Sequence, residues 1–251
     1  MSRIVGVILA AGKGKRMHNP EVPKVLVQLK GKPLLQWVIE ALLPLNLDQI
    51  ITVVGYRREL VIDFLTEHFP QVFIAIQEEQ KGTGHAVLQI APYVSAGTTL
   101  LIVNGDVPLV QPDTLDAFLQ SHATSGAALS VLSTIVPSPN GYGRIIRSHD
   151  GSLTAIVEEA DLQPAQRSIT EVNAGIYAAE SETLLEALRS VKNTNAQQEY
   201  YLTDAVAQLV GQGKLVHVWC CPEWHQFAGV NTPEQLTALA ALVTMQDRSQ
   251  Q

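Results

Sequence analysis

Apolar positions along the chain fall into short continuous runs separated by segments of helical period. Ile4–Leu9 is an almost unbroken apolar run, the pattern of a strand buried on both faces of a parallel sheet. Pro33 then opens a segment in which Leu34, Leu35, Val38, Ile39 and Leu42 share one helical face, stopping near Pro44. The alternation continues through strand Gln49–Val54, helix Glu59–Phe69, strand Val72–Ile76, helix Gly84–Tyr93, strand Thr99–Val103 and helix Thr114–His122. This βαβα order predicts an α/β fold, a parallel sheet with helices on both faces.

After about residue 125 the rhythm changes. Ala127–Ile135 reads as a long strand. Gly143–Arg147 and Leu153–Val157 flank His149-Asp150-Gly151-Ser152, a hairpin signal through Asp-Gly. Strand Ile169–Ala178, helices Ser181–Arg189 and Thr203–Val210, strand Leu215–Trp219 and helix Pro233–Val243 follow. We expect one domain over about residues 1–245, with halves meeting near 125 and 126, and a polar tail over 246–251. The hairpins of the second half are expected to form a lid or lobe for a second substrate.

Composition sharpens this. Of 251 residues, 46% are hydrophobic and 16% charged, which excludes intrinsic disorder. No apolar run approaches the roughly 20 residues of a membrane span. The start has no signal-peptide layout, and the only cysteines, Cys220 and Cys221, are adjacent, giving neither a disulfide framework nor zinc spacing. The expectation is a soluble, cytoplasmic protein with no membrane partner. The net charge of −7 argues against nucleic-acid binding. Yet the first 32 residues hold seven basic residues and one acidic residue, and that segment needs a polyanion to explain it.

Leu9-Ala10-Ala11-Gly12-Lys13-Gly14-Lys15-Arg16-Met17, with Pro23-Lys24 downstream, directly follows the first strand. Ligands of such sheets bind beyond the carboxyl ends of strands. Small residues let the backbone approach a nucleotide, and glycines let N–H groups converge on phosphate oxygens. Arg16 can fork onto phosphate, and Lys24 supplies a point charge. The loop lacks the third glycine of a dinucleotide fingerprint and the Gly-Lys-Ser/Thr of a P-loop. Its plain alternative is a tight surface turn with a solvated charge run.

This loop resembles the signature of the sugar-phosphate nucleotidylyltransferases, Leu-Ala-Ala-Gly-x-Gly-x-Arg-Met followed by Pro-Lys. Further segments narrow the resemblance: Gln77–Ala86, Asn104–Leu109, Asn140–Ile145, Glu171–Ile176, Glu199–Asp204 and Gly229–Asn231. In order and spacing they resemble the uridyltransferase domain of the bacterial bifunctional N-acetylglucosamine-1-phosphate uridyltransferase/glucosamine-1-phosphate acetyltransferases. The resemblance runs from about residue 4 to about residue 240. It implies a Rossmann-like, doubly wound, mostly parallel sheet with a β-rich sugar-binding lobe.

It also implies roles. Leu9, Ala10, Ala11, Gly12 and Gly14, with Gln77, Gln80, Gly82 and Thr83, hold the nucleotide, the glutamines facing a uracil edge. Asn104, Gly143, Glu158, Asn173, Tyr201 and Thr203 surround the N-acetylated sugar. Asp106 and Asn231 hold Mg²⁺, and Arg16 and Lys24 act on the phosphates. For His85, helix capping or a phosphate contact is expected rather than acid–base catalysis. The implied substrates are UTP and N-acetylglucosamine 1-phosphate. The implied reaction makes UDP-N-acetylglucosamine and pyrophosphate, with Mg²⁺ as cofactor. Alternatives are another sugar 1-phosphate, such as glucose 1-phosphate with UTP or dTTP, and a non-catalytic nucleotide-sugar sensor. The chain departs from the family pattern at Lys15, where Thr is common, and in a loop His18–Val22 one residue longer. It departs again at Asn104, where some members have Tyr. Hexapeptide repeats of the acetyltransferase half are not present in this sequence, so we expect no acetyltransferase activity and a monomer or weak dimer.

Overall fold

The structure, a computed structural model, describes residues 3–17 and 21–249, with backbone alone for Lys15 and for 244–249. The expected lengthening of the loop at His18, Asn19 and Pro20 lies outside the described residues. Eleven strands and seven α-helices are described, joined by short 3₁₀ turns. The first half runs β1 (Ile4–Ala10), β2 (Gln28–Leu29), β3 (Lys32–Pro33), α1 (Leu34–Leu42), β4 (Gln49–Val54), α2 (Arg58–His68), β5 (Phe73–Ile76), α3 (Thr83–Leu88), β6 (Thr99–Asn104) and α4 (Pro112–Ser125). The second half runs β7 (Leu129–Ile135), β8 (Arg144–Arg147), β9 (Leu153–Val157), β10 (Glu171–Glu180), α5 (Ser181–Ser190), α6 (Asp204–Gly211), β11 (Val216–Cys220) and α7 (Pro233–Ser249).

The main sheet has the order β11-β7-β10-β6-β1-β4-β5, with the β8–β9 hairpin attached through β10. Only β10 runs against its neighbours β6 and β7 within that path. The mostly parallel α/β sheet expected from the sequence is therefore the observed one. Its two faces are separated by the two-residue period of the strands. Val5 and Val7 of β1 pack with α3, α5 and α6. Ile8 and Ala10 face α1, α2 and α4. Sandwiched this way, the central strands are apolar on both faces, which is why they read as unbroken hydrophobic runs.

Several details differ from the sequence reading. The helix expected over Gly84–Tyr93 stops at Leu88, and a 3₁₀ turn over Ala91–Tyr93 contains Pro92, which lacks the N–H an α-helix needs. The β2–β3 hairpin was not foreseen. Lys30 and Gly31 both have positive φ, the backbone of the tight turns that join short antiparallel strands. Helix α7 continues to Ser249, through residues that composition marks only as polar. It packs Leu239 and Val243 on Met17, Leu29 and Leu34, and so closes over the N-terminal hairpin. No helix among the described residues is long and apolar enough to cross a membrane.

The chain leaves β1 toward β4 on one side and returns to β6 on the other. Between β1 and β6 the connections diverge, and a crevice opens at their carboxyl ends. Because β10 is reversed, its first residues, Glu171–Gly175, arrive at that same end.

Candidate active site

Two adjoining cavities occupy this crevice. The first is walled by Leu9–Gly12 at the end of β1, Gln77, Gln80, Gly82 and Thr83 after β5, and Asn104 and Asp106 at the end of β6, with Lys24 and Glu199 also lining it. The second shares Thr83, Asn104, Asp106 and Glu199 with the first. It extends to Tyr142, Gly143, Glu158, Asn173 and Tyr201, with Arg16 and Asn231 on its wall.

Backbone geometry shapes the first cavity. Ala11 accepts from Tyr56 N–H at 3.1 Å and Leu9 from Gly105 N–H at 3.0 Å, so the loop after β1 is tied to both neighbouring strands. Gly14 has φ +57°, and a Cβ there would sit 2.8 Å from Lys24 Cβ. Gly14 is off the cavity wall; its part is to let the loop turn back against Lys24. Gln77 is buried, and its Nε2 donates to the Gly82 carbonyl at 3.1 Å and meets His85 Nδ1 at 2.9 Å. Both amide hydrogens are thereby committed, which leaves the carbonyl oxygen as the group Gln77 can offer a ligand. Burial, with Lys81 nearby, holds His85 below the usual imidazole range. A neutral ring then accepts from Gln77. His85 is thus a support for Gln77, and α3 carries no side-chain cap. That corrects the helix capping expected for it.

The loop carrying Gly82 and Thr83 is stitched to residues 199–202. Gly84 N–H donates to Tyr200 O at 2.8 Å, Tyr200 N–H to Lys81 O at 2.8 Å, and Leu202 N–H to Thr83 Oγ1 at 2.9 Å. A Cβ on Gly82 would lie 2.6 Å from Tyr200 O, so this close packing needs glycine.

At the junction of the cavities the charged groups converge. Lys24 Nζ pairs with Asp106 Oδ2 and donates to Asn231 Oδ1 at 3.1 Å, and Arg16 Nη2 donates to the same Asn231 oxygen at 3.2 Å. Val230 N–H donates to the Asp106 carbonyl at 3.0 Å, which fixes the two segments together. Four residues from three distant parts of the chain therefore meet at one point. The Asp106 and Asn231 oxygens both lie around a single cation, the Lys24 ammonium. Two protein oxygens, one of them anionic, suit Mg²⁺ shared with substrate phosphates and waters. Among the described residues no cluster of three or more His, Cys, Asp or Glu could cage a metal without substrate.

The far end of the second cavity is built from the β8–β9 hairpin, the start of β10 and the segment before α6. Glu158 Oε1 accepts from Thr203 Oγ1 at 3.0 Å. Thr203 is buried behind Glu158 rather than on the cavity wall. Burial pushes the Glu158 carboxyl up, as do Asp204 and Asp161, while the Thr203 bond opposes them. Asn173 donates to Tyr177 Oη at 2.6 Å and accepts from Gly175 N–H at 3.0 Å. A β-bulge follows Asn173, with Gly175 at φ +73° against the Asn104 side chain. The Tyr201 hydroxyl is buried with no hydrogen-bond partner in the protein.

The arrangement brings together all the residues expected to bind nucleotide, sugar or metal, with Gly14 and Thr203 one layer behind the wall. Sequence reasoning missed Tyr142, Gln197, Glu199 and Gln235, which also line the cavities. Tyr142 stands inside the quoted Asn-Gly-Tyr-Gly-Arg segment. Glu199 begins Glu-Tyr-Tyr-Leu-Thr-Asp. Gln235 had no sequence signal; its Oε1 accepts from Asn231 N–H at 2.7 Å.

Residues 6–171 match the MobA-like NTP transferase domain. The chain belongs to that family of nucleotidyltransferases. Among its relatives are proteins named bifunctional protein GlmU. The one from Geobacter metallireducens is 43% identical over 240 residues, covering 94% of this chain and 49% of its own length. The one from Nitrosococcus oceani is 45% identical over 239 residues, covering 93% and 50%. That from Geobacillus thermodenitrificans is 39% identical over 250 residues, covering 99% and 53%. The chain spans about half the length of these relatives. Among solved structures, a putative glucose-1-phosphate thymidylyltransferase from Bacillus anthracis, in complex with a sucrose, superposes with a TM-score of 0.76. It is 18% identical over 95% of this chain and 94% of that one, a likeness of fold. Within the family's span fall the loop after β1, the Gln77–Thr83 turn, Asp106 and Glu158. Asn173, Tyr201 and Asn231 lie beyond it.

Proposed function

We propose that the protein is an N-acetylglucosamine-1-phosphate uridyltransferase, making UDP-N-acetylglucosamine and pyrophosphate from UTP and N-acetylglucosamine 1-phosphate. The observation that carries this is the convergence of Lys24, Asp106, Asn231 and Arg16 between the two cavities. Buried Gln77 stands at one end and Glu158 with Asn173 at the other. The GlmU relatives, similar over nearly the whole chain, support the choice of nucleotide and sugar.

The sugar phosphate is largely dianionic at neutral pH, its second pKa being about 6. It needs no base to act as a nucleophile. One of its oxygens attacks the α-phosphorus of UTP in line. The new phosphorus–oxygen bond forms as the bond to the β-phosphate oxygen breaks, and the electron pair leaves on pyrophosphate. The work of the protein is to hold two polyanions together and neutralise the charge that develops. Gln77 and Gln80 orient the base, and the Ala11–Gly12 backbone lies against the nucleoside. Lys24 leaves its resting pair with Asp106 to neutralise the α-phosphate and the sugar phosphate. Arg16 holds the triphosphate and the departing pyrophosphate. Glu158 and Asn173 present acceptor and donor groups to the sugar. Asp106 and Asn231 would hold Mg²⁺, which when bound supplies a Lewis acid to the phosphate oxygens.

The test is pyrophosphate release in Mg²⁺ across UTP, dTTP, CTP and GTP paired with N-acetylglucosamine, glucosamine and glucose 1-phosphates. The highest kcat/KM is expected for UTP with N-acetylglucosamine 1-phosphate. Preference for glucose 1-phosphate would overturn the sugar assignment. Binding of UDP-N-acetylglucosamine without turnover of any pair would turn the protein into a sensor.

A further inference from the structure

Outside the cleft wall, the most unusual side chain is Arg144, at the start of β8. Its side chain is 1% exposed, the largest fully buried one among the described residues. It pairs with Glu159 Oε2 at 2.9 Å through Nη2 and donates to the Tyr142 carbonyl through Nη1, while Nε has no partner. Glu159 Oε2 also accepts from Gly141 N–H at 3.2 Å, and its other oxygen lies 3.6 Å from Arg167. A closed ring results, running from Gly141 to Glu159, to Arg144 and back to Tyr142. It joins the loop ahead of β8 to the turn after β9. Residues that line the cleft flank this ring: Tyr142 and Gly143 on one segment, Glu158 on the other. Their spacing is tight, since a Cβ on Gly143 would lie 3.1 Å from Ile156 Cγ2 and 3.4 Å from Glu158 Oε2.

The guanidinium of this pair is buried while Glu159 is 33% exposed, so desolvation of the arginine offsets part of the attraction and the pair adds little stability. An apolar pair of similar volume often holds a fold as well. What such a pair supplies is directional geometry, since the guanidinium fork fixes two acceptors at once. We propose that Arg144 and Glu159 are positioning residues that set the width of the sugar end, and so govern sugar affinity without touching the ligand. This rests on the sugar-end assignment made above, but not on which sugar binds there.

The test measures affinity for a panel of UDP-sugars relative to UDP by calorimetry, alongside thermal unfolding. The variants are Arg144→Met with Glu159→Met together, and Glu159→Gln alone. Changing both partners avoids leaving one charge buried and unpaired. The double variant is expected to unfold within a few degrees of the wild type and to bind UDP unchanged. Its affinity for whichever UDP-sugar the wild type binds best should fall about tenfold, and discrimination among sugars should narrow. Glu159→Gln keeps an acceptor and should show a smaller loss in the same ratio. Should the double variant fail to fold, Glu159→Gln decides by the same ratio. An unchanged ratio of UDP-sugar to UDP affinity in a folded variant would overturn the proposal. A wild type that prefers UDP-glucose would instead overturn the sugar named above and leave this test intact.

Discussion

At the nucleotide end of the cleft, three segments lie at the carboxyl ends of parallel strands: Leu9–Gly12 at the end of β1, Gln77 just after β5 and Asn104–Asp106 at the end of β6. The glutamines there are paired within the protein, Gln77 with Gly82 and His85, and Gln80 with the Gln77 carbonyl. At the sugar end, Tyr142 before β8, Glu158 after β9, Asn173 in β10 and Tyr201 before α6 come from separate segments of the second half. There a carboxyl is pushed up by burial, and a phenol is left without a partner. The first end is preorganised by short loops on a rigid sheet. The second holds polar groups whose requirements the protein alone leaves partly unmet. A ligand that meets them gains more there than from groups already paired.

The junction should separate from both ends by the size of its effect. Removing Asp106 takes away the anionic oxygen beside Lys24 and Arg16. Asp106→Ala is expected to lower kcat about 10²- to 10³-fold, the usual loss when a preorganised charge group is deleted. Pyrophosphate release in saturating substrates measures it. Near-normal turnover would remove Asp106 from the chemistry.

Gln77→Ala probes the nucleotide end. The variant leaves the half-buried His85 ring and the Gly82 carbonyl without their donor, and the base without an acceptor. An unsatisfied buried group costs roughly 1–3 kcal/mol, so KM for UTP should rise about 10- to 100-fold while KM for the sugar phosphate stays flat. Equal rises in both would mean that the two ends are not separable.

These contrasts also explain what could be read from the sequence. The parallel half was legible because its strands are apolar on both faces and its loops carry small and basic residues at fixed offsets. The Lys24, Asp106 and Asn231 convergence was not legible from spacing, since 82 and 207 positions separate Lys24 from its partners. Only the family resemblance grouped them. Arg144 stands in the quoted Asn140–Ile145 segment but drew no role of its own, because a basic residue at the start of a hairpin strand reads as solvated. Its burial depends on Glu159, which follows the partner strand. The β2–β3 hairpin was hidden because Lys-Gly between two-residue strands gives almost no periodicity.

Glu158 gives the sugar end a pH dependence of its own. Its carboxyl is raised by burial and by Asp204 and Asp161. As pH falls through that raised value, the acceptor is lost and KM for the sugar phosphate should climb several-fold. Glu158→Gln should flatten this limb. Stability runs in the opposite sense. With the folded value above the unfolded one of about 4.3, the wild type carries no penalty below the unfolded value and loses stability as pH rises through the folded value. The melting temperature of Glu158→Gln should therefore gain on the wild type from pH 5 to pH 8. A constant difference across that range would mean that Glu158 does not titrate there.

The smallest effect expected is the most discriminating one. The Tyr201 hydroxyl is buried with no protein partner, and burial with the surrounding Asp161, Glu158, Glu199 and Asp204 keeps it protonated. A phenol held in that state is a donor awaiting an acceptor. Tyr201→Phe deletes the donor and keeps the ring. Since no protein bond is lost and a desolvated polar group is removed, the melting temperature should hold or rise slightly, unlike that of Gln77→Ala. KM for the sugar phosphate should still increase about three- to tenfold, the worth of one hydrogen bond of about 0.5–1.5 kcal/mol. A variant that lost stability instead would place Tyr201 with the paired groups of the nucleotide end, and the contrast between the two ends would not hold at this residue.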